Sequence, residues 1–425
     1  MSSLTDAPAV AGALLRTNMK KFVARQPIFD TKMKIYGYEL LFRAGLEPYF
    51  RCADPDLATS SVVVDTFLLF GMKKLTGGRR AFVNFTRNLL INDYAKVLPS
   101  DQVVIEILES VMPDEQVVAA CRDLRARGYM LALDDFALNV KHKPLLGLVD
   151  IVKIDFRQTT VPRRQDLMRT YGNRRITFLA EKVETRSQYQ QARQLGCTLF
   201  QGYFFGKPET LSSREIPAHQ HNYYHLLQAI HQPQPNLAEL EDIIKHESAL
   251  SYKLLRYLNS AAFAFRMEIR SIRHALALLG LNEVRKWVSV VAVAGVAKGR
   301  PSELVITSLV RARFAELLAP EAGLAKRAPE LFLMGLLSMM DAILGRPLAD
   351  ILAEVPVTAD IKAALLTGSS PLHPIYEFIQ AYERGDWDEI MPRAEALRLS
   401  EGKVTEAYLE AADWANQAYQ VSAAA

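Results

Sequence analysis

The rhythm of the first half most constrains what this chain can fold into. Up to about Pro208, short apolar runs alternate with longer amphipathic stretches such as Asp114–Gly128. Eight runs read as strands: Phe22–Phe29, Lys34–Phe42, Ala81–Thr86, Val103–Glu109, Tyr129–Asp135, Ile151–Phe156, Ile176–Glu181 and Leu199–Phe205. Most are continuously apolar, as strands covered on both faces must be. Strands alternating with helices build a parallel sheet, and eight of them suggest a closed barrel. Only Asp30–Lys32 separates the first two, which is a hairpin length, so at least one strand is expected to run antiparallel.

After Pro208 the strand signal stops. Asn236 is placed to cap a helix, Glu239 sits three residues on, and Leu237, Leu240, Ile243 and Ile244 form an apolar stripe. Further helices are expected around Leu254–Leu258, Ile272–Leu279 (stopped by Gly280), Val284–Ala297, Leu304–Leu318, Leu331–Leu344, Ala359–Leu366, Ile375–Glu383 and Val404–Ala418. The expected fold class is therefore a TIM-like (β/α)8 barrel followed by an all-α domain. The expected boundaries are a flexible N-terminal segment (1–20), a barrel (21–210), a junction (211–235), a helical domain (236–400) and a C-terminal helix and tail (401–425).

Composition narrows the partners. The formal charge of +4 is small for 425 residues, and no Lys/Arg tract marks a phosphate-tracking surface, which argues against nucleic acid. Three cysteines without a CxxC pair suit a reducing compartment. Asp6 precedes the apolar patch Ala9–Leu15, so no signal peptide is expected. The apolar runs near Trp287–Ala297 and Leu331–Met340 fall short of the roughly 20 residues that span a bilayer. A cytoplasmic protein without a membrane segment is expected.

Chemistry enters at the strand ends. Functional side chains of a β/α barrel gather at the C-terminal mouth. Reading each strand to its end gives Glu39, Asn84, Glu106 with Glu109, Asp134 with Asp135, Lys153 with Asp155, Glu181 with Glu184, and Gln201. Carboxylates gathered at one mouth repel one another unless cations neutralise them. Oxygen ligands without histidine or cysteine suit hard ions such as Mg²⁺ or Mn²⁺. Two such ions about 4 Å apart clamp the attacking and leaving oxygens of a phosphodiester. Lys153 is suited to neutralise charge on the phosphorane or to position water.

These motifs occur in the order seen in EAL domains, which the segment 21–208 resembles. Tyr-Glu-Leu-Leu-Phe-Arg (38–43), Val-Asn-Phe-Thr (83–86), Ile-Glu-Ile-Leu-Glu (105–109), Leu-Asp-Asp-Phe (133–136) and Val-Lys-Ile-Asp (152–155) carry the resemblance, followed by Ala-Glu-Lys-Val-Glu (180–184) and Gln-Gly-Tyr-Phe-Phe-Gly-Lys-Pro (201–208). It implies metal ligands at Glu39, Asn84, Glu106, Asp134, Asp135 and Glu181, with catalytic roles for Lys153, Glu181 and Gln201. It implies substrate contacts from Gln26, Arg43 and Asp155, a loop anchor at Glu109, and cyclic di-GMP as substrate with linear pGpG as product. Two departures stand out. The family's glycine-rich loop reads Ala137-Leu138-Asn139-Val140-Lys141-His142 here, and Lys182 replaces a glycine. They make a non-catalytic regulatory or scaffold protein the alternative to a two-metal phosphodiesterase.

The helical half resembles HDOD domains through Leu-Ser-Tyr-Lys-Leu-Leu-Arg-Tyr-Leu-Asn-Ser-Ala-Ala-Phe (250–263), Ser-Ile-Arg-His-Ala-Leu-Ala-Leu-Leu-Gly (271–280) and Gly-Leu-Leu-Ser-Met-Met-Asp (335–341). HDOD domains resemble HD-type phosphohydrolases without their metal-binding His-Asp pair, and the chain contains no His-Asp dipeptide. The resemblance implies a protein partner for this half and leaves homodimerisation open.

Overall fold

The computed structural model describes residues 21–44, 72–134, 144–172, 175–202, 218–232, 234–246, 250, 254, 271–297 and 300–423. The expectations for 1–20, 255–258 and the last strand beyond Gly202 fall outside them. Eight strands close a barrel in sequence order: β1 (Lys21–Asp30), β2 (Ile35–Ala44), β3 (Arg80–Phe85), β4 (Val103–Ile107), β5 (Met130–Leu133), β6 (Ile151–Asp155), β7 (Thr177–Glu181) and β8 (Leu199–Gln201). β1 runs antiparallel to both β2 and β8, and the other pairs are parallel. The β1–β2 turn is built by Asp30, whose Oδ1 accepts from the amides of Lys32 (2.8 Å) and Lys34 (2.9 Å). Around the barrel lie α1 (Met72–Thr76), α2 (Arg87–Ile91), α3 (Glu115–Ala126), α4 (Val161–Tyr171) and α5 (Arg186–Leu195). Asp114 caps α3 at the Val117 amide, and Thr185 with Gln188 forms a capping box on α5.

The helical half contains α6 (Ala218–Ile230), α7 (Leu237–His246), α8 (Ile272–Val296), α9 (Ser302–Leu318), α10 (Ala328–Leu337), α11 (Met340–Leu344), α12 (Leu348–Glu354), α13 (Ala359–Leu366), α14 (His373–Arg384), α15 (Trp387–Ala396) and α16 (Glu401–Ala423). Gly280, at φ +73°, breaks α8 into the two pieces its sequence implies. The stretch expected to be a helix over Leu331–Leu344 is instead two helices with a turn at Ser338 and Met339. The expected junction is helical over Ala218–Ile230, because Tyr223, Leu226, Leu227 and Ile230 form a buried stripe at i, i+3, i+4 and i+7.

Two apolar cores result. One fills the barrel's lower interior with Ile28, Phe82, Val104, Ala132, Ile151, Leu179 and Leu199. The other runs continuously from the barrel's outer face into the helical half. The four-residue loop Thr31–Lys34 leaves no room for a helix between β1 and β2, so their outer face needs other cover. Among the described residues α14 and α16 lie against β1, and α16 also against α1. Tyr382 donates to the Val23 carbonyl (3.1 Å), the Arg25 amide donates to the Tyr408 hydroxyl (3.3 Å), and Asn416 donates to the Lys74 carbonyl (3.0 Å). Phe314 packs edge-on to Tyr382 (5.2 Å) and Tyr408 (5.4 Å) behind these bonds.

Glu303 is a buried carboxyl in this seam. The Tyr38 hydroxyl donates to Glu303 Oε2 at 2.9 Å, with Arg25 stacked over the Tyr38 ring at 4.5 Å. Burial pushes the Glu303 carboxyl up to about 7; Arg25 and the Tyr38 hydrogen bond pull it down, and Glu383 adds to the rise. An unfolded glutamate releases its proton near 4.5, so between these values the folded chain binds a proton the unfolded chain does not. This contribution is complete below the unfolded value and is lost as pH rises through 7. We expect it to cost the full chain roughly 2–3 kcal/mol between pH 5 and 8. Glu303→Gln should flatten that part of the urea-denaturation slope against pH; a variant with the parent's slope would remove Glu303 from the account.

Candidate functional site

The polar residues form a second layer directly above the apolar one. Side chains two residues apart on a strand face the same side. Each residue of the lower layer is thus followed, two positions toward the mouth, by a polar one. Phe82 leads to Asn84, Val104 to Glu106, Ala132 to Asp134, Ile151 to Lys153, Leu179 to Glu181 and Leu199 to Gln201. β1 runs the other way, so Ile28 leads back to Gln26, which pairs in register with Glu39.

Lys153 Nζ stands at the centre of this layer. It lies 2.7 Å from Glu181 Oε1, 2.9 Å from Asp134 Oδ1, 3.0 Å from Glu106 Oε1 and 3.4 Å from Glu39 Oε2. The lysine is only 1% exposed. Glu39 also accepts from Gln201 Nε2 (2.7 Å) and Asn84 Nδ2 (3.2 Å). Gln201 Nε2 reaches Gln26 Oε1 as well (3.0 Å).

The charges do not balance: one buried ammonium faces four carboxylates. Burial penalises the ionised Glu39 carboxyl, but Lys153, Gln201 and Asn84 outweigh it and hold the group below its ordinary value. Glu106 has weaker compensation. Burial and the neighbouring Glu39 push it well above the usual carboxylate range, and its ion pair with Lys153 lacks hydrogen-bond geometry. Burial pushes Glu181 to about 8, with Lys153 opposing and Asp134 and Glu39 adding to the rise. Burial alone would make Lys153 give up its proton; the surrounding carboxylates keep it charged.

Among the described residues, four buried oxygens in this layer have no hydrogen-bond donor: both of Glu106, Asn84 Oδ1 and Gln201 Oε1. Unmatched acceptors on an all-oxygen donor set are what a hard cation would satisfy. Among the described residues, no three carboxylates are arranged to hold an ion by themselves. The Lys153 ammonium occupies the point where they converge, so it and a cation draw on the same oxygens.

The other expected site residues divide. Asp155 is buried one step nearer the mouth, where its Oδ1 accepts from the amides of Arg157 (2.6 Å) and Gln158 (3.1 Å). Its Oδ2 lies 2.6 Å from Lys182 Nζ. Burial raises and these bonds lower its carboxyl, with a net fall below the ordinary value. Lys182 has φ +52°, the left-handed backbone that glycine adopts more readily. Glu109 is exposed in the turn after β4. Arg43 lies on β2 with its side chain outside the described residues, as are Asp135 and the loop 137–142.

Sequence reasoning missed two participants. The Arg384 carbonyl at the end of α14 accepts from Gln26 Nε2 at 2.9 Å. It acts through its backbone, so its side-chain identity offers no signal. Gly202 has φ +140° and approaches Val183 so closely that a Cβ would lie 2.1 Å from the Val183 carbonyl oxygen. The Gln-Gly pair at 201–202 was its visible trace.

Known proteins match along most of the chain. The EAL domain model matches residues 76–208 and the HDOD domain model residues 216–350. YuxH, an uncharacterized protein of Bacillus subtilis, is 39% identical over 404 residues, covering 93% of this chain and 98% of YuxH. The cyclic di-GMP phosphodiesterase CdgJ of Vibrio cholerae is 35% identical over 397 residues, covering 92% of each. The solved structure of Klebsiella pneumoniae BlrP1 in complex with calcium and cyclic di-GMP is a distant likeness: 24% identity, a TM-score of 0.38, 44% of this chain and 56% of that one.

Replacing Lys153 tests the electrostatic reading. Lys153→Met leaves the carboxylates without their counter-ion, which should cost about 3–5 kcal/mol in metal-free protein at pH 8. The loss should shrink at pH 5, where the carboxylates take up protons. Urea denaturation at both pH values measures it, and an equal loss at each would reduce Lys153 to a packing role.

Proposed function

We propose, from the premise that this chain belongs to the family of proteins joining an EAL domain to an HDOD domain, that its barrel binds cyclic di-GMP and hydrolyses it to linear pGpG. The observation that carries this reading is the polar layer itself. Glu39, Asn84, Glu106, Asp134, Lys153, Glu181 and Gln201 converge at one depth in the barrel, in a chain 35% identical to a named phosphodiesterase over nearly its full length.

In this reading the oxygens of Glu39, Asn84, Glu106, Asp134 and Glu181, with Asp135, hold divalent cations, Mg²⁺ or Mn²⁺. Such ions would polarise the phosphodiester and acidify the attacking water. The chain's own residues do the rest. Lys153 brings a positive charge to the developing phosphorane charge from within the same layer. Gln201 and Gln26 offer amide groups at the rim of the same layer, suited to orient water and the dinucleotide. The dry apolar layer beneath closes the barrel floor, so reactants enter from the mouth alone. The HDOD half is read as the partner-binding output module.

One observation favours a second reading, binding without turnover. Lys182 closes on Asp155 at 2.6 Å, tying up a carboxylate that the resemblance assigns to substrate. With the glycine-rich loop also replaced, the barrel is then a sensor for the dinucleotide.

Incubation with cyclic di-GMP and Mn²⁺ separates the two. Hydrolysis predicts pGpG by chromatography, with Glu39→Ala and Lys153→Met lowering the rate roughly 100-fold or more. No metal-dependent product above the Glu39→Ala background would exclude the enzyme. Calorimetric binding under the same conditions would then support the sensor, and absence of both would leave a scaffold.

A further inference from the structure

The helical half holds a cavity of about 370 Å³ that the barrel chemistry does not use. It opens between the end of α6, the second part of α8, the start of α10 and the link from α12 to α13. Its volume falls in the range of preformed small-molecule sites. Its apolar lining comes from Pro329, Phe332, Leu333, Pro356 and Val357. Its polar lining includes His231, bonded to the buried Ser289 hydroxyl (2.9 Å), together with Arg285, Lys286 and the carboxylates of Glu283, Glu316 and Glu330.

The cations around this cavity are not equivalent. Lys286 is paired with Glu316 (2.7 Å) and Glu283 (3.2 Å). Arg313, behind Glu316, is paired with it and with Glu410, both at 2.5 Å. Arg327, behind Glu330, is paired with it (2.7 Å) and with Asp360 (2.6 Å). Arg285 alone among them has no carboxylate within ion-pair distance among the described residues, and its buried Nε has no hydrogen-bond partner. Its nearby ionisable neighbour is His231, which burial, assisted by Arg285, pushes down to about 4 and so keeps neutral. A guanidinium without a carboxylate partner among the described residues, in a cavity that also holds a neutral hydrogen-bonding pair and apolar side chains, is complementary to a ligand with both features.

We propose that the helical half carries a binding site for a small organic anion with an apolar body, whose charged end pairs with Arg285 and whose body packs against Phe332 and Leu333. The His231–Ser289 pair contributes a hydrogen bond that orients the charged end. The site needs no residue of the barrel, so it stands or falls apart from the phosphodiesterase reading.

4-Phenylbutyrate is a suitable probe, with 4-phenylbutanamide as its uncharged counterpart. Calorimetric titration of the full chain should show saturable 1:1 binding of the carboxylate, at least about tenfold tighter than the amide. Arg285→Gln should weaken the carboxylate about tenfold and erase its advantage over the amide. Leu333→Trp, which fills the cavity, should abolish binding of both. No saturable binding at millimolar carboxylate would overturn the proposal. So would equal affinity for the two probes in the parent, or unchanged affinity in a folded Arg285→Gln. Should that variant fail to fold, the parent's carboxylate-to-amide ratio and Leu333→Trp decide.

Discussion

The upper half of the barrel depends on one ammonium group. Lys153 Nζ is the common neighbour of Glu39, Glu106 and Glu181, on three other strands, and of Asp134, just past the end of a fourth. A buried lysine is costly unless carboxylates surround it, and buried carboxylates are costly unless a cation does. Each makes the other tolerable, but the numbers are unequal. Burial and like charge push Glu106 and Glu181 toward their neutral forms, and among the described residues four acceptor oxygens remain unmatched. An arrangement kept for stability alone would pair its charges one to one or dispense with them. The excess of oxygen is what a cation-binding, phosphate-facing site requires.

The helical half is part of the barrel's construction. β1 and β2 form a hairpin, so the outer face that a βα unit would cover is met instead by α14 and α16. The same contact brings the Arg384 carbonyl to Gln26, and Gln26 to Gln201 and Glu39. The polar layer and the helical half therefore touch through a short chain of hydrogen bonds, and displacement of α14 would be felt at the site.

The barrel was legible because its strands are buried on both faces and written as continuous apolar runs. The strand ends expected from sequence lie within about two residues of those seen, the usual uncertainty of element boundaries; the expected end of the last strand, Phe205, lies outside the described residues. The site was legible because polar residues interrupt those runs at period two, directly above the apolar layer. The helix Ala218–Ile230 was obscured by its histidines and glutamines, although Tyr223, Leu226, Leu227 and Ile230 carried the period. α15 was missed because Pro392 lies inside it. The docking of the two halves was not legible at all. It rests on tyrosine hydroxyls reaching backbone carbonyls and amides across more than 350 positions, and no local pattern encodes such pairs. The cavity at Arg285 was hidden for the same reason, since its lining comes from helices distant in sequence.

The central claim is that the oxygens around Lys153 form a cation site. Crystals soaked in Mn²⁺ test it directly through anomalous scattering. The account predicts a peak about 2.0–2.4 Å from oxygens of Glu39, Glu106 and their neighbours, with the Lys153 ammonium drawn away from those it now contacts. A barrel with no peak at this depth, and with Lys153 still holding all four carboxylates, would contradict it.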